Sequence, residues 1–135
     1  MMSAFRTVLQ STRAPFLLLT PVCVMLGAAT VHATGSSIDV SLLALVLVGA
    51  LLAHISVNTQ NEYADFRSGL DLQTRRTPFS GGSGALPANP RALNNVFVTG
   101  LVSLVACLLI GVYLAWLLGP DIVPLGVLGA VLIVT

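Results

Sequence analysis

In 135 residues, 56% of them hydrophobic and 8% charged, there is too little polar side chain to cover a soluble domain. A mean hydropathy of +0.94 and the absence of lysine point to an all-α membrane protein, a multi-helix transmembrane bundle. The formal charge of +1 excludes nothing as a total, but all six basic residues are arginines and their placement is informative. The two cysteines, Cys23 and Cys107, lie far apart inside apolar runs, without histidine or cysteine neighbours at metal-ligand spacing. They read as packing residues.

Residues 1–14 form a short amphipathic lead-in whose only charges are Arg6 and Arg13. Pro15 opens an apolar run from Phe16 to about Ala33, long enough for one helix across a ~30 Å hydrocarbon core. Pro21 falls inside it, which a membrane helix tolerates where neighbours re-satisfy the freed carbonyl. A secretory signal competes with this reading, because Val31-His32-Ala33 has the small-residue pattern of a cleavage site. The length of the run and its two prolines weigh against a signal. After a turn at Gly35, a second apolar run extends from Ile38 to Val57, with Asp39 near its start in the interface. His54 in its last turn reads as a packed or interfacial histidine, one turn from Asn58, where a substrate contact stays open.

The polar run Asn58 to Asp71 continues this helix and then breaks it. It holds three of the five carboxylates, Glu62, Asp65 and Asp71. Asn58, Glu62 and Asp65 are spaced i, i+4, i+7 and share one helical face; Asn61 and Asp65 are also i, i+4. Gly69 is the expected C-cap, after which Asp71 swings back towards the same space. The segment Thr77 to Pro90, with its glycines and three prolines, cannot form a long helix and reads as a structured loop. A third apolar run spans about Val96 to Leu118, with Tyr113 and Trp116 as interface anchors. A fourth begins at Ile122; its fourteen residues are too few to cross at about 1.5 Å rise each. Helices are therefore expected at about 16–33, 38–66, 94–118 and 122–135, as the N-terminal part of one larger transmembrane domain. With alternating helices, all six arginines fall on one side, which the positive-inside rule makes cytoplasmic for the N-terminus and the acidic loop.

Carboxylates interleaved with amides supply hard oxygen ligands. Mg²⁺ is held by one or two carboxylates plus substrate phosphates. Guanidinium groups engage the remaining phosphate charge, and Gly81-Gly82-Ser83-Gly84 can add backbone N–H donors. At the edge of a bilayer, this set suits a substrate with a diphosphate head and a lipid tail. The plainer alternatives are solvated loop charge for the acids and arginines, and a flexible linker for the glycines. Tyr63 and Phe66 suit packing or a membrane-interface belt as readily as substrate contact.

The run Asn58-x-x-Asn61-Glu62-Tyr63-x-Asp65-x-x-x-Gly69-x-Asp71 resembles the first aspartate-rich motif of the UbiA superfamily of intramembrane aromatic prenyltransferases. Arg76-Thr77-Pro78-Phe79-Ser80-Gly81-Gly82-Ser83-Gly84 is similar to the loop of its menaquinone-pathway branch, the 1,4-dihydroxy-2-naphthoate polyprenyltransferases. Arg13-Ala14-Pro15-Phe16-Leu17 and Leu19-Thr20-Pro21 are similar to that family's first helix. The resemblance implies a bundle of about nine helices, about four of them present here with the last truncated, in a bacterial inner membrane. It implies Mg²⁺-dependent transfer of a polyprenyl group from a polyprenyl diphosphate to an aromatic quinone precursor. Position by position, Asp65, Asp71 and Glu62 serve as catalytic and metal residues. Asn58, Asn61, Arg67, Arg75, Arg76 and Ser83 serve as substrate-binding residues. Glu62 stands where many members have aspartate. The family's second aspartate-rich motif is not in these residues, so the chain alone is expected to be inactive and to need a C-terminal half. No nucleic-acid partner is expected. Two other classes remain beside the enzyme: a non-catalytic module binding lipid diphosphate or pairing with another half, and a transporter. The second is disfavoured because the charges cluster at one edge rather than at the bilayer midplane.

Overall fold

The computed structural model of the protein describes residues 3–74 and 82–134, the last as backbone only. The first helix, α1 (Ala4–Ser11), starts where the Ser3 side chain accepts a hydrogen bond from the Arg6 amide. It is followed by a sharp joint at Arg13, whose φ of 52° makes it the one non-glycine residue with positive φ among the described residues. The first apolar run is interrupted: α2 (Ala14–Leu17) and α3 (Leu19–Ala33) meet at Leu18. Pro21 accounts for the interruption, since its nitrogen cannot donate to the Leu17 carbonyl. The break therefore lies one turn before the proline, not at it.

Asp39 caps α4 (Val40–Ser68), its carboxylate accepting from the amides of Ser41 at 2.8 Å and Leu42 at 3.0 Å. That is a more specific task than a charge left in the interface. Gly69, at φ 80°, ends α4 as expected and leads into the single turn α5 (Leu70–Gln73). Beyond the loop come the short α6 (Ala85–Ala88), a 3-10 turn at Pro90–Ala92, and α7 (Leu93–Leu118). A second 3-10 turn, Pro120–Ile122, precedes α8 (Val123–Val134). The spans Ala14–Ala33, Val40–Ser68 and Pro90–Leu118 are long and apolar enough to cross a membrane, whereas the last apolar helix is shorter. The architecture is an all-α bundle of membrane type.

Burial runs opposite to that of a soluble protein. Among the described residues the buried apolar side chains are Ala85, Leu86, Ala92 and Val96, against ten buried polar or charged ones. Leu18, Val22, Leu26, Val102, Val112 and Leu125 all point outward. An apolar exterior over a polar interior suits a hydrocarbon solvent.

The most extensive packing joins α4 and α7 as an antiparallel pair. Gly49 sits against Ile110, Thr59 against Gly100, and the Tyr63 ring against Phe97 at 4.8 Å. Small residues let the backbones approach, and hydroxyls bond across the seam, as is usual between membrane helices. Ser56 Oγ donates to the Gly100 carbonyl at 2.9 Å, and Gln60 Nε2 donates to Ser56 Oγ at 2.7 Å. A Cβ at Gly100 would lie 2.7 Å from Thr59 Oγ1 and 3.0 Å from Gln60 Cγ; at Gly49 the nearest atom is Ile110 Cγ2 at 3.3 Å. Gly100→Ala is therefore expected to destabilise by about 1–3 kcal/mol, the cost typical of overpacking. Gly49→Ala should change stability little, because a gain in helix propensity of about 0.5–1 kcal/mol offsets the milder contact. Thermal unfolding of both variants in detergent measures the difference.

Candidate functional site

Because α4 runs unbroken to Ser68, Asn58, Glu62 and Asp65 do occupy successive turns of one helix at the end of a candidate membrane span. Their surroundings differ sharply. Asn58 is buried and its Nδ2 donates to the Thr12 carbonyl at 2.8 Å, tying α4 to the joint after α1. Glu62 has no solvent exposure. Its Oε1 accepts from Ser83 Oγ at 2.6 Å and its Oε2 from the Ser83 amide at 2.9 Å, while Arg13 Nη2 lies 3.7 Å from Oε2. Ser83 Oγ also accepts from the Ala85 amide at 3.0 Å, so the same serine holds the first amide of α6. One carboxylate thus fastens the loop end and the N-terminal joint to α4.

Asp71, carried back by the left-handed turn at Gly69, is 4% exposed and lies against Gly82. A Cβ on Gly82 would overlap the Asp71 carboxylate, and the backbone there has a φ of 71°, so glycine is required on both counts. Glu62 and Asp71 therefore close on consecutive residues, Ser83 and Gly82. Asp65, half-buried one turn beyond Glu62, has no hydrogen bond or ion pair on its carboxylate among the described residues. It is the acid whose oxygens stay available.

The remaining expected residues are less tightly drawn in. Asn61 is exposed. Arg67 is exposed and donates from Nη1 to the Tyr63 hydroxyl at 3.0 Å, with its guanidinium 5.8 Å from the Tyr63 ring centre. Ser83 commits both its amide and its hydroxyl to Glu62. Arg75 and Arg76 lie outside the described residues. His54 is bonded through Nδ1 to Thr20 Oγ1 at 2.7 Å, across α4 and α3.

Arg13 entered the sequence reading as an orientation charge and as the start of the first-helix motif, and was given no site role there. Its side chain is 27% exposed, and its Nε is buried without a hydrogen-bond partner among the described residues. The signal available in the sequence was its position directly before the proline-opened span. The Thr12 carbonyl, a backbone group, carried no such signal.

Hard oxygen donors suit Mg²⁺ or a similar cation. Among the described residues no three His, Cys, Asp or Glu side chains form a metal cluster. Such cations are commonly held by one or two carboxylates with phosphate oxygens and water, and Asp65 is the carboxylate here that no described group engages. Comparison with family models, curated proteins and solved structures gives no match for the chain.

Hydrogen bonds to a charged acceptor contribute about 1.5–3 kcal/mol each. In Glu62→Ala, amide exchange at Ser83 should accelerate by about tenfold or more. Ser83→Ala keeps the amide bond to Glu62 and should have a smaller effect at that position. Peptide-resolved hydrogen exchange over residues 82–88 reads both.

Proposed function

We propose that this chain carries the diphosphate-binding site of a Mg²⁺-dependent prenyltransferase, acting on a polyprenyl diphosphate and an aromatic quinone precursor. The observation that carries the reading is the convergence of Glu62 and Asp71 on Gly82–Ser83, beside an uncommitted Asp65, at the end of a membrane helix. The substrate class and the acceptor, a dihydroxynaphthoate-like ring, rest on the resemblance of the two central motifs.

In this reading the residues divide the work. Asp65 and Asp71 would hold the cation, which when bound would offset the negative charge of the leaving diphosphate. Glu62 fixes the Gly82–Ser83 corner and keeps Arg13 close to the head group. Arg13 has an unused Nε donor suited to a phosphate oxygen. Asn58 orients this edge through the Thr12 carbonyl. The apolar faces of the helices receive the isoprenoid tail and exclude water from the allylic carbocation left when diphosphate departs, which water would otherwise capture. The N-terminus and the acidic edge face the cytoplasm, following the arginine distribution; the bacterial inner membrane rests on the resemblance alone.

Asp65→Asn, made in the full reading frame that contains this chain, is expected to lower Mg²⁺-dependent prenyl transfer by at least about 100-fold with membrane insertion intact. Turnover at the wild-type rate would remove Asp65 from the metal site. Binding of labelled prenyl diphosphate without transfer by the unmutated protein would favour the non-catalytic module instead. Orientation is checked with Gln73→Cys and Ser36→Cys in a background lacking Cys23 and Cys107. An impermeant thiol reagent applied from the cytoplasmic side should label position 73 and spare position 36; the reverse pattern inverts the topology.

A further inference from the structure

The first helix is amphipathic in the inverted sense. Thr7 and Ser11, spaced i, i+4, are completely buried against the bundle, and Asn89 Nδ2 donates to Thr7 Oγ1 at 2.9 Å. Phe5 and Leu9, also i, i+4, lie two residues away, about 200° around a helix of 3.6 residues per turn. They are 76% and 51% exposed. A helix resting on the bundle from water would not bury its hydroxyls and expose Phe5 and Leu9, so the Phe5–Leu9 stripe needs an apolar medium while Arg6 and Gln10, exposed beside it, need a polar one.

Two further observations say which medium. The helix runs through the Arg13 joint directly into the candidate span beginning at Ala14, and it packs beside the first two turns of α7, where another span begins. It is therefore level with the ends of the spanning helices. Between α1 and α7 lies a groove of about 500 Å³, with Phe5, Val8 and Val98 as apolar lining and Asn94 and Asn95 as amides. A mixed lining of that kind matches the boundary between headgroups and acyl chains. Arg6, exposed on α1, adds a cation for lipid phosphate.

We infer that α1 is an interfacial lipid-binding element. Its Phe5–Leu9 side is embedded in the leaflet next to the acidic site, at the boundary between headgroups and acyl chains. The inference does not depend on the prenyltransferase reading. It gives the N-terminal residues a task beyond orientation: Thr12 and Arg13, which contact Asn58 and Glu62, are held by a helix that the bilayer surface itself positions.

The test uses the single tryptophan of the chain. In a Trp116→Phe background, Phe5→Trp and, separately, Leu9→Trp are reconstituted into phosphatidylcholine vesicles brominated high on the acyl chain, near its end, or not at all. An element lying in the interface sits about 5–10 Å into the headgroup–acyl boundary. Emission at either position should fall at least twofold with the shallow bromines, less with the deep ones, and little with aqueous iodide. Quenching by iodide in preference to bromolipid would overturn the inference by placing the face in water. Protection from both would overturn it by placing the face against protein, including a second copy of the chain. Using two positions separates a poorly folded variant from a wrong inference.

Discussion

Taking a carboxylate out of water costs several kcal/mol unless donors meet it in good geometry, and a buried charge that loses its partner is strongly destabilising. Glu62 is in that position, and the three groups that meet it come from two distant parts of the chain. The amide and hydroxyl of Ser83 belong to the loop before α6; the guanidinium of Arg13 belongs to the joint before the first span. Satisfying one charge therefore gathers the N-terminus, the loop and α4 at a single point. Asp71 lies against Gly82 at the corner that Glu62 holds, and the Asp65 carboxylate takes no part in it.

The seam between α4 and α7 does the complementary task within the apolar region. Membrane helices gain little from burying apolar surface against one another, since lipid offers the same contacts. Close approach at Gly49 and Gly100, with Ser56 and Gln60 bonding across or along the seam, supplies the specificity that apolar contact does not. The antiparallel register that results places Tyr63 on Phe97 and so sets the rotation of α4. That rotation directs Asn58 and Glu62 inward and leaves Asn61 outside.

Much of the architecture was legible in the sequence, because hydropathy over some twenty residues is a strong signal and caps are local chemistry. The three spanning helices and the Gly69 cap could be read directly. The break at Leu18 was harder, because a proline acts on the carbonyl four residues earlier and shifts the interruption away from itself. The one-turn α6, containing Pro87, lies within a segment whose composition excludes only long helices. In the site, the i, i+4, i+7 spacing placed Asn58, Glu62 and Asp65 on consecutive turns, but spacing gives no partners. That Glu62 is bound by Ser83 and Arg13 depends on contacts across 21 and 49 residues of chain, and no local pattern encodes them.

The uninterrupted length of α4 has a mechanical consequence. At about 1.5 Å per residue its 29 residues extend about 43 Å, well beyond a hydrocarbon core of about 30 Å. Asp39 caps one end and the acids occupy the other, so the helix behaves as a rigid strut between the two faces of the bilayer. A thinner or thicker membrane is accommodated by changing the strut's tilt, and a change of tilt raises or lowers Glu62 and Asp65 relative to the headgroups. Bilayer thickness is thereby transmitted to the depth of the buried carboxylate and the corner it holds.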